Sequence, residues 1–481
     1  MLSILFDYGW ILVIVLGGLL AAIVLAKPIL RYAVNRIADD VTAKLLSEEY
    51  TKNVAEMLPS VKRVSVVNII ELSLRAEEGK VITRPLGSPK QFQGYDNLMF
   101  QPHSMAKFSL PANAKVDMSV TIGPDAEKPL TIAMPLMISA MAYGLALSEE
   151  AKMALARAAK QLRTVTCSGE GPFLPEEAQE AGKYVLQICR WSWGGRTDEQ
   201  ISYADMLEVQ MGQGADIGTS TVEAKKLAGR AQQLGGLAPG QDALGLPAPP
   251  GVERPEDWPK FMKDLRKRAN GIPIALKVMV TDNIEEDLDL AVELGFDAIV
   301  LCGAKGGSHA STPIKQDDFG IPNLQGLVRA KKLLDRHPAL RKRKISLIVA
   351  GGYFTPGECL KAIALGADAI YLATIPLFAL AHNQINKVLP WEPITTLVYY
   401  ESPLRSKLNI DQAATSVANI LTSMVLEMEE GMRALRKSSL KELSPDDLVA
   451  LDPSTAQITG VKLANEGNTQ RPPLKKPKKM S

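Results

Sequence analysis

Cysteine is scarce in this chain. Four occur in 481 residues, Cys167, Cys189, Cys302 and Cys359, widely spaced and with no CxxC among them. Short cysteine repeats build zinc sites and cysteine-ligated iron–sulfur clusters, so neither is expected, nor is any other metal site. Few cysteines in a large chain fit a reducing compartment. Charge of one sign is lacking too. The formal net charge is +2, which gives no broad basic field for nucleic acid. No GxGxxG opens the first strand-to-helix turn, which argues against a dinucleotide-binding fold. No Lys or Arg precedes the first apolar run.

That run is the first thing present. Residues 4–26 are apolar except for Asp7, and Trp10 to Ala26 carries no charge. Seventeen residues are the short end of what spans a bilayer. Lys27, Arg31 and Arg36 follow directly, so the positive-inside rule predicts a single-pass helix with everything after Lys27 in the cytoplasm. A cleaved signal peptide needs a basic segment before the apolar one, and here the basic residues come after it. Residues 31–60 read as a polar helical stalk. At the other end Lys475, Lys476, Lys478 and Lys479 sit among prolines, the composition of a disordered basic tail.

From about residue 128 apolar runs alternate with helical stretches. The runs are 131–139, 163–169, 184–189, 206–212, 274–280, 298–303, 345–352 and 369–374. Helical spacing is clear in 148–162, 255–269 and 283–295, the last with Ile284, Leu288, Ala291, Val292 and Leu294 on one face. Nearly continuous apolar strands joined by amphipathic helices imply an α/β fold whose parallel sheet is covered outside. Eight units predict a closed (β/α)8 TIM barrel after the membrane helix; an open doubly wound sheet satisfies the periodicity equally. Gly306-Gly307 follows the sixth run, Gly351-Gly352 ends the seventh and Ala373-Thr374 the eighth. Small residues at those strand ends suit a phosphate, which barrels often bind after strands seven and eight.

Eight blocks, in order, resemble the synthase domain of glutamate synthase over about residues 90–460. PLMISAMAYGLALSEEAKMALARAA (135–159) resembles the segment that opens its FMN barrel. SGEGPF (168–173) is similar to the family's TGEGG loop, QICRWSWGG (187–195) to QIASGRFG, and LEVQMGQGA (207–215) to IEIKIAQGA. A PPP-then-helix stretch (246–267), KVMV (277–280), CGAKGGSHASTP (302–313) and AGGYFTPGECLKAIALGADAIYLAT (350–374) complete the set. The resemblance implies FMN as cofactor and reduction of 2-iminoglutarate, formed from 2-oxoglutarate and ammonia, to glutamate. It implies that Ser139, Ala140 and Met141 line the isoalloxazine, that Ser168 and Gln187 hydrogen-bond the ring or ribityl chain, and that Lys277 sets a cation at the pyrimidine edge. Gly306, Gly307, Gly351, Gly352, Ala373 and Thr374 would cradle the phosphate. Glu170 is the implied catalytic carboxylate, Gln213 matches the glutamine of the AQGA block, and Arg230 matches a basic residue able to clamp a substrate carboxylate.

The pattern departs in three places. Residues 375–395 lack the family's cysteines. No glutaminase segment is seen, so ammonia is expected free or from a separate subunit. The family's AQGAKPGEGG is GQGADIGTS here, so Asp216 and Thr219 replace a lysine and a glutamate. A carboxylate at 216 repels a dicarboxylate, which places Asp216 in the substrate site with altered preference. Lys305 replaces a family aspartate, and an Asp216–Lys305 pair is expected from the two opposite swaps. Trp191 and Trp193 narrow the pocket or pack the barrel top.

The expected organisation is an anchor at 1–30, a helical stalk and N-terminal extension at 31–95, the FMN barrel at 96–440 and a C-terminal extension with the basic tail at 441–481. Three functions stand: a membrane-tethered glutamate synthase-like oxidoreductase fed by an electron-donor protein; a related flavin enzyme on another amino or imino acid, such as an N-alkylglutamate synthase; or a non-catalytic flavin electron-transfer subunit. None calls for nucleic acid.

Overall fold

A computed structural model describes residues 2–49, 53, 57–309 and 311–466, and the lysine-rich tail lies outside them. The chain divides into two compact units, Met1–Ile82 and Thr83–Ser481.

The first unit holds one helix of 46 residues, Leu2–Ser47, about 69 Å long at 1.5 Å per residue. Within it Val13–Ser47 is long and apolar enough to cross a membrane. The side chains of Leu16, Leu20, Ile23 and Val24 are exposed, with no protein surface over them. The first part of the stalk expected at 31–60 is the same helix, which continues through Pro28 to Ser47. Two shorter helices follow, Met57–Val64 and Val66–Glu78; the second is capped by the Ser65 hydroxyl and stopped by Gly79 in the left-handed region.

The second unit is an eight-stranded parallel barrel. Its strands are β1 (Leu136–Ile138), β2 (Thr166–Cys167), β3 (Tyr184–Ile188), β4 (Met206–Gln210), β5 (Ile274–Met279), β6 (Ala298–Cys302), β7 (Ser346–Ala350) and β8 (Ala369–Leu372). Each lies beside its neighbour in sequence, and β1 returns to pair with β8. The ring is nearly closed between β1 and β2, where the Ile138 N–H donates to the Val165 carbonyl at 3.1 Å and the Thr164 hydroxyl donates to the Leu136 carbonyl at 2.7 Å. The strands are buried end to end, the physical reason their sequences read as continuous apolar runs.

One run divides. Residues 131–139 contain two strands, not one. Leu130–Ile132 pairs antiparallel with Val120–Ile122 in a hairpin outside the barrel, and β1 begins only at Leu136. Pro135 between them has no N–H for a ladder, although its carbonyl accepts from Ile370 at 2.8 Å. A Gly123 N–H bonded to the Ser346 hydroxyl at 3.0 Å ties this hairpin to the first residue of β7.

The helices are uneven. Those after β1 (Glu149–Leu162), β4 (Trp258–Ala269), β5 (Ile284–Glu293), β6 (Asn323–Arg336), β7 (Pro356–Ala364) and β8 (Ile410–Ala434) run nine residues or more, whereas those after β2 and β3 have six and five. Additional elements gather after β4, β6 and β8: a two-stranded hairpin (Thr221–Val222 with Ala243–Leu244), a short helix Pro313–Asp317 and a helix Thr374–Ala381. All three excursions leave from C-terminal strand ends, where barrels keep their active sites.

Candidate active site

A cavity opens there, walled by the loops after β1, β2, β3, β4, β6 and β8. Its construction begins with two glycines. Gly169 has φ +70°, and a Cβ on it would stand 2.6 Å from the Ala142 amide nitrogen; a Cβ on Gly171 would land on the Tyr143 carbonyl oxygen. The loops after β1 and β2 therefore cross backbone on backbone, which is why glycine flanks Glu170 on both sides. Lys152, on the helix after β1, locks the crossing. Its ammonium donates to the carbonyls of Met141 (2.7 Å), Cys167 (2.9 Å) and Ser168 (3.2 Å) and pairs with Glu177 at 2.8 Å, with both side chains buried.

Glu170 is thereby held in the cavity wall. Trp191 donates its indole N–H to the Glu170 carboxylate at 3.0 Å and Trp193 donates to the Glu170 carbonyl at 2.9 Å. The two indoles stack, 5.4 Å between centroids and 3° from parallel. Trp191 thus holds the carboxylate of Glu170 and Trp193 its backbone. Burial raises the Glu170 pKa above the ordinary carboxylate value, and the charge of Asp216 adds to it; the Trp191 hydrogen bond, Arg190 and Lys277 oppose. Asp216 is raised as well, by burial, against the pull of Lys315 and Arg190.

The expected site residues fall into two groups. Ala140, Met141, Glu170, Gln187, Gln213, Asp216, Gly307, Ala373 and Thr374 line the cavity together. Ser139, Ser168, Lys277, Gly306, Gly351, Gly352 and Arg230 lie outside its wall. The Ser168 hydroxyl is engaged internally, donating to the Gly169 carbonyl and accepting from the Gln187 N–H. Lys277 is buried in the barrel interior. Its ammonium lies 3.9 Å from Glu208 and 6.0 Å from the Tyr371 ring centroid, and Gln187 donates to the same Glu208 oxygen at 2.6 Å. Burial pulls the Lys277 pKa down, but Glu208, the two thiols and Glu170 outweigh it and leave it raised. Arg230 is held by Glu149 at 2.9 Å and Glu176 at 2.5 Å. Asp216 does not pair with Lys305. Its partner is Lys315, at 3.8 Å, while the Lys305 side chain packs over Gly352.

Lys152, Lys315, Glu208 and His309 escaped the sequence reading. Glu208 left a signal, a carboxylate in the middle of the apolar run MLEVQ. The lysines left none, because which loop they reach depends on the fold.

A flavin mononucleotide fits this arrangement. The helix Thr374–Ala381 begins at the cavity with no side chain capping it, so its first N–H groups and positive end are available to a phosphate. Gly307 stands in the same wall. Gln187 donates its side-chain amide to Glu208 and lines the cavity together with Ala140 and Met141. Among the described residues no group of three His, Cys, Asp or Glu is placed to hold a metal.

Comparison with known proteins agrees with the geometry. The family model for the conserved region in glutamate synthase matches residues 82–438. A glutamate synthase large subunit-like protein of Rhizobium meliloti (strain 1021) is 30% identical over 419 residues, covering 82% of this chain and 93% of that protein. An archaeal glutamate synthase (NADPH) of Archaeoglobus fulgidus is 30% identical over 346 residues, 70% of this chain and 66% of that one. Among solved structures, an active chimera of (S)-mandelate dehydrogenase superposes with a TM-score of 0.47 at 15% identity, over 74% of this chain and 88% of that one. The chain belongs to the glutamate synthase family, as a glutamate synthase-like oxidoreductase.

Proposed function

We propose that this chain reduces 2-iminoglutarate, formed from 2-oxoglutarate and ammonia, to glutamate in the cavity at the barrel mouth. The observation that carries the reading is Glu170: a buried carboxyl whose pKa burial raises, held by the Trp191 indole in the wall of a cavity that fits FMN. Bound FMN supplies the hydride. Ala140 and Met141 would line the ring, Gly307 and the N–H groups at Ala373 and Thr374 would hold the phosphate, and the Gln187 side chain would meet the ring edge. Lys277, buried beside Glu208 in the barrel interior, would favour negative charge on the bound ring through its field. Glu170 gives its proton to the substrate nitrogen as carbon 2 receives the hydride, so the C=N bond becomes CH–NH. Gln213 orients the substrate at the rim. The unit 83–481 is held at the cytoplasmic face of a membrane by the single helix Val13–Ser47, and a separate protein donates electrons.

The test is anaerobic. Holoenzyme is reduced, mixed with 2-oxoglutarate and ammonium, and followed in the visible spectrum. Reoxidation with glutamate formed is expected, and Glu170→Gln should slow it by about 10²–10⁴-fold with FMN retained. Reduced flavin that persists indefinitely with these substrates removes the reading.

A second reading rests on Asp216. A carboxylate in the cavity wall disfavours a dicarboxylic substrate, which favours the same chemistry on another imino acid. Reoxidation by a monocarboxylic 2-oxo acid with ammonium, and not by 2-oxoglutarate, is its signature. A flavin that no imino acid reoxidises leaves the electron-transfer subunit.

A further inference from the structure

The cavity has lost the lysine that the family motif places at 216, and Arg230 is committed elsewhere, to Glu149 and Glu176. Three other basic side chains lie near. Arg190 is buried behind the wall, where it donates to Gln210 and to the Gly218 carbonyl. Lys277 is sealed in the barrel interior beside Glu208. Lys315, on the short helix after β6, stands in the wall itself.

Lys315 is held loosely. Its ammonium donates to the Thr219 carbonyl at 3.1 Å and lies 3.8 Å from Asp216, too far for a hydrogen bond. An ammonium has three donors, so two remain to be used. Its side chain is 22% exposed, against 2% for Lys277. Apart from Lys315, the formally charged groups in the described wall are the carboxyls of Glu170 and Asp216. An anionic substrate entering this cavity meets two carboxyls, the Lys315 ammonium and the His309 imidazole, whose Nε2 lies 3.7 Å from Glu401.

We propose that Lys315 is the residue that receives the substrate's carboxylate. It exchanges its loose contact with Asp216 for charge-assisted hydrogen bonds to the ligand. This rests on the cavity being the site of imino-acid reduction. The role is one of binding and specificity: Lys315 selects for a carboxylate and takes no part in moving the hydride or the proton.

The experiment uses oxidised holoenzyme and ligand-induced changes in flavin absorbance, with no turnover. The probes are 2-oxoglutarate and its uncharged diamide. Lys315→Met should weaken 2-oxoglutarate binding by about tenfold or more and leave the diamide unchanged, and Lys315→Arg should recover most of the loss. FMN content and melting temperature, measured alongside, guard against misfolding, and Lys315→Gln serves if the methionine variant fails to fold. Equal losses for both probes mean that Lys315 only braces the Thr219 loop, and the proposal falls. An unchanged affinity for 2-oxoglutarate overturns it as well. The two readings fail separately: wild-type turnover with a carboxylate affinity indifferent to Lys315 removes only this inference, whereas a wild type that neither binds nor turns over removes both.

Discussion

The carboxylate of Asp216 raises the cost of ionising Glu170 in the same cavity wall. Burial is the larger cause at both, and the charge on Asp216 adds to the rise at Glu170. The Trp191 indole N–H, 3.0 Å from the Glu170 carboxylate, works the other way by bonding the ionised form.

Two variants should therefore move the alkaline limb of flavin reoxidation in opposite directions. Asp216→Asn removes the neighbouring charge, lowers the Glu170 pKa and shifts the limb to lower pH. Trp191→Phe removes a donor to the carboxylate, raises that pKa and shifts the limb to higher pH. pH–rate profiles of the two variants beside wild type check both signs; a shift of both limbs in one direction contradicts the assignment of Glu170 as the proton carrier.

The same group links stability to pH. A carboxyl whose pKa is raised by folding stabilises the fold fully below its unfolded pKa, and the contribution disappears as pH rises through the folded value. Melting temperatures of wild type should fall on the alkaline side of the raised Glu170 value relative to Glu170→Gln, which carries no such charge. Parallel melting curves of the two proteins across pH would show that Glu170 is not the group responsible.

Gly171→Ala should be costly although the position is not a turn. The added methyl meets the Tyr143 carbonyl, so the crossing of the β1 and β2 loops must open. Overpacking of this kind costs about 1–3 kcal/mol. Denaturant unfolding should show that loss, together with weaker FMN retention, because Met141 and Glu170 sit on the two loops that separate.

Lys152 and Glu177 form an ion pair with no solvent access. Lys152→Met strands a buried carboxylate and three backbone carbonyls, and removing one member of such a pair costs about 3–5 kcal/mol. The double variant Lys152→Met, Glu177→Leu should recover part of that loss, since the stranded charge is gone. A double-mutant cycle by chemical unfolding gives the coupling; additive losses would mean that the pair contributes only through the carbonyls.

Full-length chain should partition with membranes and resist extraction at high salt. A chain beginning at Thr83, the start of the second compact unit, should appear in the soluble fraction with its FMN. Full-length protein found wholly in the soluble fraction would remove the anchor.

Much of the fold was legible because its parts are local. Each barrel strand is a buried run, and each of the three quoted helices appears where its apolar spacing places it, at Glu149–Leu162, Trp258–Ala269 and Ile284–Glu293. The exception was 131–139, where an unbroken apolar run concealed a hairpin strand and a barrel strand on either side of Ala133-Met134-Pro135. Hydrophobicity cannot tell which apolar surface a strand is buried against.

The sequence alone determined the strand–helix alternation, the apolar N-terminal helix and the glycine-flanked Glu170, since each is written in residues near one another along the chain. Only the tertiary structure decided what those residues meet. It paired Asp216 with Lys315 across 99 positions in place of Lys305, turned Trp191 and Trp193 onto Glu170, sealed Lys277 beside Glu208 and drew Arg230 away to Glu149 and Glu176. The physical reason is common to all four. A charged or indole side chain takes whichever partner the barrel's loops bring within hydrogen-bond reach, and that distance is set by strand closure, not by spacing along the chain.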